Sequence, residues 1–563
     1  MANREFEGGP HRVAEILTED QMHGTDTVTE LVSRERRRDG VGTSVATWAF
    51  PTWLVAALPL ALVVLVGFAL RIYDIAGNPT ELIVDELDLY NSAHAIATTG
   101  RDVDGSLLPF LWSAFTRNPP MYALAEYITS LFFGAGPFGL RLPAVIFGTS
   151  CIALMYAIAF ELTRRRDVAM VTALLVATQP ILVHFSRIAW EPASELPFLL
   201  GGLYVLLRAF VRARPGGRAS FRLLALAAIL LACTCYTYMA GWFYAVVLAV
   251  PVVVANWKRL RSPRAVFELA AALGIWGALA EPALWMWFAN RDTYARTQRI
   301  ATFGNGISVD ALRQFASNYF AHFHWSYLVT TGDPISGSTW RYLSGFGAFY
   351  WWVVVFAIGG AFVAWRYVRP PWALAWLFWW ILVYPLGGSL TNEGVPNAPR
   401  TLAGAPVFCV FAAFGLVALF GLATLLPRPW SARASFSLRA AFVASLAVSV
   451  ALFMHYYFAR FPYVNPNAWD SGTRQLFGAI RANAPGEERL CFSVRQAWYG
   501  TDTYMRYYLA GVPLERIQGV TDPRCARPGT LLATDALVLP RGFKIVATIP
   551  EMGGSRFAVL AER

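Results

Sequence analysis

Apolar runs of membrane-crossing length recur along the chain, separated mostly by short polar loops. A helix of about 17 to 25 mostly apolar residues crosses a hydrocarbon core about 30 Å thick, and roughly eleven such runs can be placed. They fall at 47–70, 139–162, 168–184, 196–211, 222–239, 241–256, 265–288, 346–365, 372–390, 401–426 and 439–457. Two longer loops interrupt the pattern. Residues 71–137 are too rich in Pro, Asp, Asn and Arg to cross a membrane, yet hold two amphipathic pieces, 81–98 and 120–133. The second opens with Pro119-Pro120, a helix-start signal. Residues 289–345 interleave Arg291, Arg296, Arg299, His322, His324, Asp333 and Arg341 with aromatic residues, and read as a helical loop that can cover a site. From about residue 460 the period changes. Asp470–Ala484 predicts a helix, and Leu490–Val494, Ala536–Leu539, Lys544–Ile549 and Arg556–Leu560 predict strands between Gly and Pro punctuation.

The expected fold class is therefore a polytopic α-helical membrane protein of about eleven transmembrane helices with a small C-terminal α/β domain. Residues 1–46 form a polar tail without an apolar signal core, 47–459 the membrane domain, and 460–563 the α/β domain. Composition agrees: 56% of residues are hydrophobic and 15% charged, outside the range of ordinary soluble domains. The net charge of +11 does not point to nucleic acid, because the basic residues cluster in alternate loops. Arg34 to Arg38, Arg164 to Arg166, Arg208 to Arg222, Lys258 to Arg264, Arg366 with Arg369, and Arg428 to Arg439 mark one side of the membrane. The positive-inside rule makes that side cytoplasmic, together with the N-terminus. The first loop, the 289–345 loop and the C-terminal domain then face the extracytoplasmic side of the plasma (inner) membrane. Of six cysteines, four lie in expected spans; Cys491 and Cys525 lie in the C-terminal domain, where a disulfide can form.

Chemistry is concentrated in the first loop. On a helix, Glu81, Asp85 and Asp88 fall at i, i+4 and i+7, with Glu86 beside them. Crowded acids repel, so at least one carboxylate should hold its proton more tightly, as a base working near neutral pH requires. A hydrated amphipathic face is the competing reading. A second polar segment, His184-Phe185-Ser186-Arg187-Ile188-Ala189-Trp190-Glu191-Pro192, lies at membrane-edge depth, where ionised groups are expensive unless paired or functional.

Taken in order, Asp85-Glu86, Arg117-Asn118-Pro119-Pro120, Gly139-Leu140-Arg141-Leu142-Pro143, Ser186-Arg187-Ile188-Ala189 and Ala398-Pro399-Arg400-Thr401-Leu402 form a set. It resembles that of the GT-C glycosyltransferases of the protein O-mannosyltransferase and lipid A aminoarabinose transferase type. Most of residues 70–345 take part. Two departures stand out. Family members often carry Lys directly before Pro-Pro, where this chain has Asn118 with Arg117 one position earlier, and the acid expected after Ser-Arg-Ile-Ala is here Glu191.

The resemblance implies a membrane enzyme that moves a sugar from a polyprenyl-phosphate carrier to an acceptor hydroxyl of a protein, lipid or envelope glycan by inverting displacement. A base must take the hydroxyl proton, and cations must stabilise the departing phosphate. Asp85 is the first candidate for the base and Glu86 the second. The chain has only two lysines, Lys258 and Lys544, so the phosphate clamp is expected from arginine: Arg187 first, then Arg117, Arg341 and Arg400. Glu191 can support the site as an acid, bind a metal or cap the turn before Pro192. No cofactor is firmly implied, and a divalent metal is left open. The bilayer is the remaining partner. A transporter or lipid flippase is the alternative from another class, and an inactive assembly protein a third. Against transport, the polar groups gather in loops rather than mid-span.

Overall fold

The structure is a computed structural model and describes residues 52–107, 112–113, 117–212, 219–289, 298–333, 343–464, 469–494, 501–519, 521–536, 538–550 and 556–563. Helix α1 (Thr52–Ile72) leads into the first loop, which carries α2 (Val84–Thr99), a two-stranded ribbon of β1 (Trp112–Ser113) and β2 (Arg117–Asn118), and α3 (Pro120–Phe133). There follow α4 (Pro137–Thr163), α5 (Arg166–Thr178), α6 (Pro180–His184), α7 (Pro192–Val211), α8 (Phe221–Cys233), α9 (Gly241–Ala255) and α10 (Pro263–Ala289). Helix α11 (Val309–Ala321) lies in the second long loop. Then come α12 (Trp351–Val363), α13 (Pro371–Val383), α14 (Pro406–Leu422) and α15 (Trp430–Ala459). Proline opens many of these helices, at Pro120, Pro137, Pro180, Pro192, Pro263, Pro371 and Pro406. Its missing N–H costs nothing at a first helical position, and its fixed φ suits the turn.

Each of the eleven expected apolar runs contains helix. Among the described residues six helices are long and apolar enough to cross a membrane by themselves: Pro137–Thr163, Pro192–Val211, Pro263–Trp285, Pro371–Ser389, Pro406–Leu425 and Trp430–Ala459. Four more are apolar but shorter: Ala57–Ile72, Phe221–Tyr236, Gly241–Ala255 and Trp351–Arg366. The run at 168–184 breaks at Gln179-Pro180 into α5 and α6 and falls in neither group. Helix contacts rely on small residues. At the crossing of α12 and α14 a Cβ on Gly360 would stand 1.8 Å from the Phe411 carbonyl oxygen, so only glycine lets the two backbones meet.

The C-terminal domain holds α16 (Thr473–Asn483), α17 (Thr501–Tyr508) and a five-stranded mixed sheet in the order β4-β3-β5-β7-β6. Its strands are β3 (Arg489–Ser493), β4 (Glu515–Gln518), β5 (Thr530–Thr534), β6 (Lys544–Pro550) and β7 (Arg556–Glu562). β3 pairs in parallel with β4 and β5, while β7 runs antiparallel to β5 and β6. Among the described residues of the strand expected at Ala536–Leu539, namely 536, 538 and 539, none is in a strand. The chain places Thr530–Thr534 in the sheet instead, a strand buried at every position and so without the alternation that marks a half-exposed strand. Cys491 on β3 and Cys525 are joined in a disulfide with a Cα–Cα distance of 5.9 Å.

One small cluster, Cys491, Ile517, Cys525 and Leu532, lies within this domain, but its larger core is shared with the first loop. Leu476, Phe477, Ile480, Leu490, Leu531 and Leu560 share one apolar cluster with Leu82, Val84, Leu87, Leu89, Tyr122 and Leu140 of the first loop and the start of α4. Burying each Leu or Phe side chain contributes about 1.5–3 kcal/mol, so the cluster binds the domain firmly to α2 and α3.

Candidate active site in the first loop

Helix α2 starts at Val84, with Ile83 as its N-cap, so Glu81 lies before the helix and the expected three-acid face does not form. An isoleucine cap offers no side-chain acceptor. Glu86, at the third helical position, instead turns its carboxylate back to the Ile83 N–H at 3.0 Å. The same carboxylate accepts from Arg141 Nε at 2.7 Å and Arg141 Nη2 at 3.0 Å, and from the Ala189 N–H at 2.9 Å. Arg141 sends its remaining N–H bonds to the carbonyls of Ile75, Pro79 and Glu81. Both side chains are fully buried. One carboxylate thus ties together three of the sequence motifs: the acid pair, Arg-Leu-Pro and Ser-Arg-Ile-Ala. Glu86 sits at the centre of a closed ion pair, away from any surface where a substrate hydroxyl could reach it.

Asp85, its neighbour, remains partly exposed. Asp88, one turn further on, is buried and accepts from Thr503 Oγ1 on α17 at 3.3 Å, and Asn91 Nδ2 donates to the Thr503 carbonyl at 2.9 Å. Helix α2 is therefore held at its start by the membrane domain and along its length by the C-terminal domain. Tyr507 OH adds a bond to the Ala135 carbonyl at 2.6 Å.

Glu81 pairs with Arg474 of α16 at 3.5 Å. Burial pushes its carboxyl from 4.5 up to about 7, against the opposing pull of Arg474 and Arg141. The native state therefore holds this proton more tightly than the unfolded chain. The associated stability is full below about 4.5 and is lost as pH rises through about 7. Melting measured from pH 4 to 8 is expected to fall across this window in the wild type and to fall less in Glu81→Gln; identical slopes would refute the assignment.

Arg187 is fully buried. Its Nη1 donates to the carbonyls of Leu70 and Arg71 at 3.3 and 2.8 Å, and its Nη2 to those of Asp74 and Asn78 at 3.3 and 2.8 Å. Its guanidinium also lies over the rings of Tyr457 and Phe458. The last carbonyls of α1 have no partner inside the helix, and Arg187 supplies it. Arg400 is placed differently, at the N-terminal side of α14. Its Nη1 donates to Thr391 Oγ1 at 2.6 Å and the Glu393 carbonyl at 3.2 Å, and its Nη2 meets Glu393 Oε2 at 3.1 Å. It also bonds the side chain of Tyr238, which lies within electrostatic reach of Glu191 and Glu195. Arg117 sits on β2, a position described only for its backbone, and Arg341 lies outside the described residues. Glu191 is buried at the start of α7.

Two acids escaped notice in the sequence. Glu126 on α3 is fully buried, and among the described residues neither of its oxygens has a hydrogen-bond partner. Burial first, then the neighbouring Glu86, Glu191 and Asp88, push its carboxyl far above the ordinary range. Glu195 on α7 is equally buried, with neither oxygen bonded among the described residues. A carboxylate inside an otherwise apolar helix was the available signal for both. Among the described residues no group of three or more His, Cys, Asp or Glu is placed to hold a metal ion.

A family model described as dolichyl-phosphate-mannose-protein mannosyltransferase matches residues 61–291. No curated protein matches the sequence. Among solved structures, ArnT from Cupriavidus metallidurans in the apo state has a TM-score of 0.53 at 14% identity, covering 91% of this chain and 97% of that one. The same protein bound to undecaprenyl phosphate gives 0.52 at 15% identity, with 90% and 98% covered. The archaeal oligosaccharyltransferase AglB from Archaeoglobus fulgidus, in complex with an inhibitory peptide and a dolichol-phosphate, gives 0.49 at 14% identity. That match covers 80% of this chain but spans only 63% of the archaeal protein. The polytopic helical domain, its first-loop helices and its small C-terminal sheet domain together have the GT-C fold.

Proposed function

We propose that this chain is a membrane glycosyltransferase that takes a sugar from a polyprenyl-phosphate carrier and passes it, by inverting displacement, to an acceptor hydroxyl on the extracytoplasmic side. The observation that carries the reading is the contrast among five neighbouring acids: Glu86, Asp88, Glu126 and Glu191 are buried, and Asp85 alone is partly exposed. Asp85 is the base that takes the acceptor proton. Glu86 holds the turn that presents it. The likeness to a fold that binds undecaprenyl phosphate in ArnT supports the donor class, as does the mannosyltransferase model.

The leaving carrier phosphate needs a cation near the same region. Arg400 is the leading candidate, because its bonds go to Thr391, to Glu393 and to the tyrosine beside Glu191, whereas Arg187 spends its terminal N–H groups on main-chain carbonyls. Arg117 stands behind it. Glu191, buried at the start of α7, is the supporting acid. The disulfide between Cys491 and Cys525 favours an oxidising compartment for the C-terminal domain, in line with the basic loops lying on the opposite side.

Incubating purified enzyme with a panel of polyprenyl-phosphate sugars, and with protein, lipid and glycan acceptors, tests the proposal. Acceptor-dependent release of carrier phosphate with at least one donor is the expected result. A preparation that binds polyprenyl phosphate yet releases none from any donor would sink it.

A further inference from the structure

The second long loop supplies two buried side chains whose purpose the transfer reaction does not explain. His322, at the end of α11, is fully buried, and its Nε2 accepts the Asn397 N–H at 2.9 Å. Asp333 is also buried, and its Oδ1 accepts the next amide, Ala398 N–H, at 3.3 Å. These amides belong to the start of the short helical turn Ala398–Thr401, where backbone N–H groups have no partner within the turn. Arg400 stands in that turn, and Asn397 caps it by accepting the Arg400 N–H on Oδ1 at 3.1 Å.

The rest of the loop grips the same segment. Asn318 Nδ2 donates to the Thr391 carbonyl at 2.9 Å, the Asn392 N–H donates to the Ile300 carbonyl at 2.8 Å, and Thr302 Oγ1 donates to the Ser389 carbonyl at 2.9 Å. The ring lies close against Gly388, where a Cβ would stand 2.4 Å from its Nε2, so only glycine leaves it space. Its form is fixed as well. Nε2 must present a lone pair to Asn397, so the ring proton sits on Nδ1, 2.7 Å from the Asn318 carbonyl.

We infer that His322 and Asp333 are positioning residues that hold the amides of Asn397 and Ala398 and so fix the guanidinium of Arg400 for the carrier phosphate. The inference rests on the phosphate role proposed for Arg400. Removing either acceptor leaves a buried N–H unsatisfied and frees the turn, while the guanidinium itself stays in the chain. Burial pushes His322 down to about 4, which keeps the neutral, accepting ring in place at ordinary pH.

Binding of undecaprenyl phosphate to the purified full-length protein tests this, read as Kd. Lost hydrogen bonds to a charged group correspond to about tenfold or more in affinity, so Arg400→Ala, His322→Ala and Asp333→Ala should each weaken binding by about that factor. His322→Gln and Asp333→Asn still present an acceptor atom, an amide oxygen in each case, and should recover most of it. The double variant Arg400→Ala with His322→Ala should bind no more weakly than Arg400→Ala alone, a readout that a general loss of stability would not give. Should His322→Ala fail to fold, the Asp333 pair and its combination with Arg400→Ala read the same coupling. An additive double variant, or unchanged Kd in His322→Ala and Asp333→Ala beside a weakened Arg400→Ala, overturns the inference while leaving the phosphate role intact. Unchanged Kd in Arg400→Ala overturns the phosphate role itself, and the inference falls with it.

Discussion

Asp85→Asn is expected to slow sugar transfer by about 10²- to 10⁴-fold while leaving the affinity for polyprenyl phosphate unchanged. The substitution keeps the size and the helix position and removes only the ability to accept a proton. Single-turnover release of carrier phosphate, paired with carrier binding, separates the two effects. Transfer at the wild-type rate would remove Asp85 from the reaction. The neighbouring acid gives the contrast, since Glu86 carries the same charge one residue away and is closed off by Arg141.

Glu86→Ala is expected to destabilise the protein by about 3–5 kcal/mol, because it leaves the buried Arg141 guanidinium without its counter-charge. It also strips the Ile83 and Ala189 amides of their acceptor, so the start of α2 loses its hold on both motifs that brace it. Thermal unfolding in detergent measures the loss, and activity should fail with it at ordinary temperature. Arg141→Ala should do the same from the other side, and the double replacement should cost less than the two single losses added together. Normal melting in Glu86→Ala would show that the ion pair is not what holds the helix.

The membrane architecture was legible because lipid forces the backbone to satisfy itself within helices, and that demand writes long apolar runs into the sequence. The acid pair proposed for the reaction was legible, but not which of its two members stands partly exposed. Asp85 and Glu86 are equivalent as letters; only the fold shows that Glu86 is closed against Arg141 while Asp85 is partly exposed. Glu81 was placed on the wrong element for the same reason, since no Ser, Thr, Asp or Asn marks where α2 begins. The arginines were harder. Arg187 looked like a phosphate ligand from its place at the mouth of a span, but its partners are carbonyls 109 to 117 residues away, which no local pattern reveals. In the C-terminal domain β3, β6 and β7 were found as β-branched or alternating runs between Gly and Pro, while the wholly buried β5 and the polar edge strand β4 lacked the alternation that would announce them. Helix α17 was missed too, its eight residues being rich in Thr and Tyr, which favour strands.

The grip of α17 on α2 joins residues 412 and 415 positions apart. During synthesis the helix bearing Asp85 is therefore made early and secured late. Until Thr503 arrives, Asp88 and Asn91 lack the partner that orients them, and the apolar side of Leu87 and Leu89 has nothing from α16 or the sheet to cover it. A chain interrupted after Arg400 but before α17 would carry Asp85 and Arg400 and still lack the bonds of Thr503 that hold α2. The helix bearing Asp85 thus waits on α17, made about four hundred residues later, for the contacts that complete its surroundings.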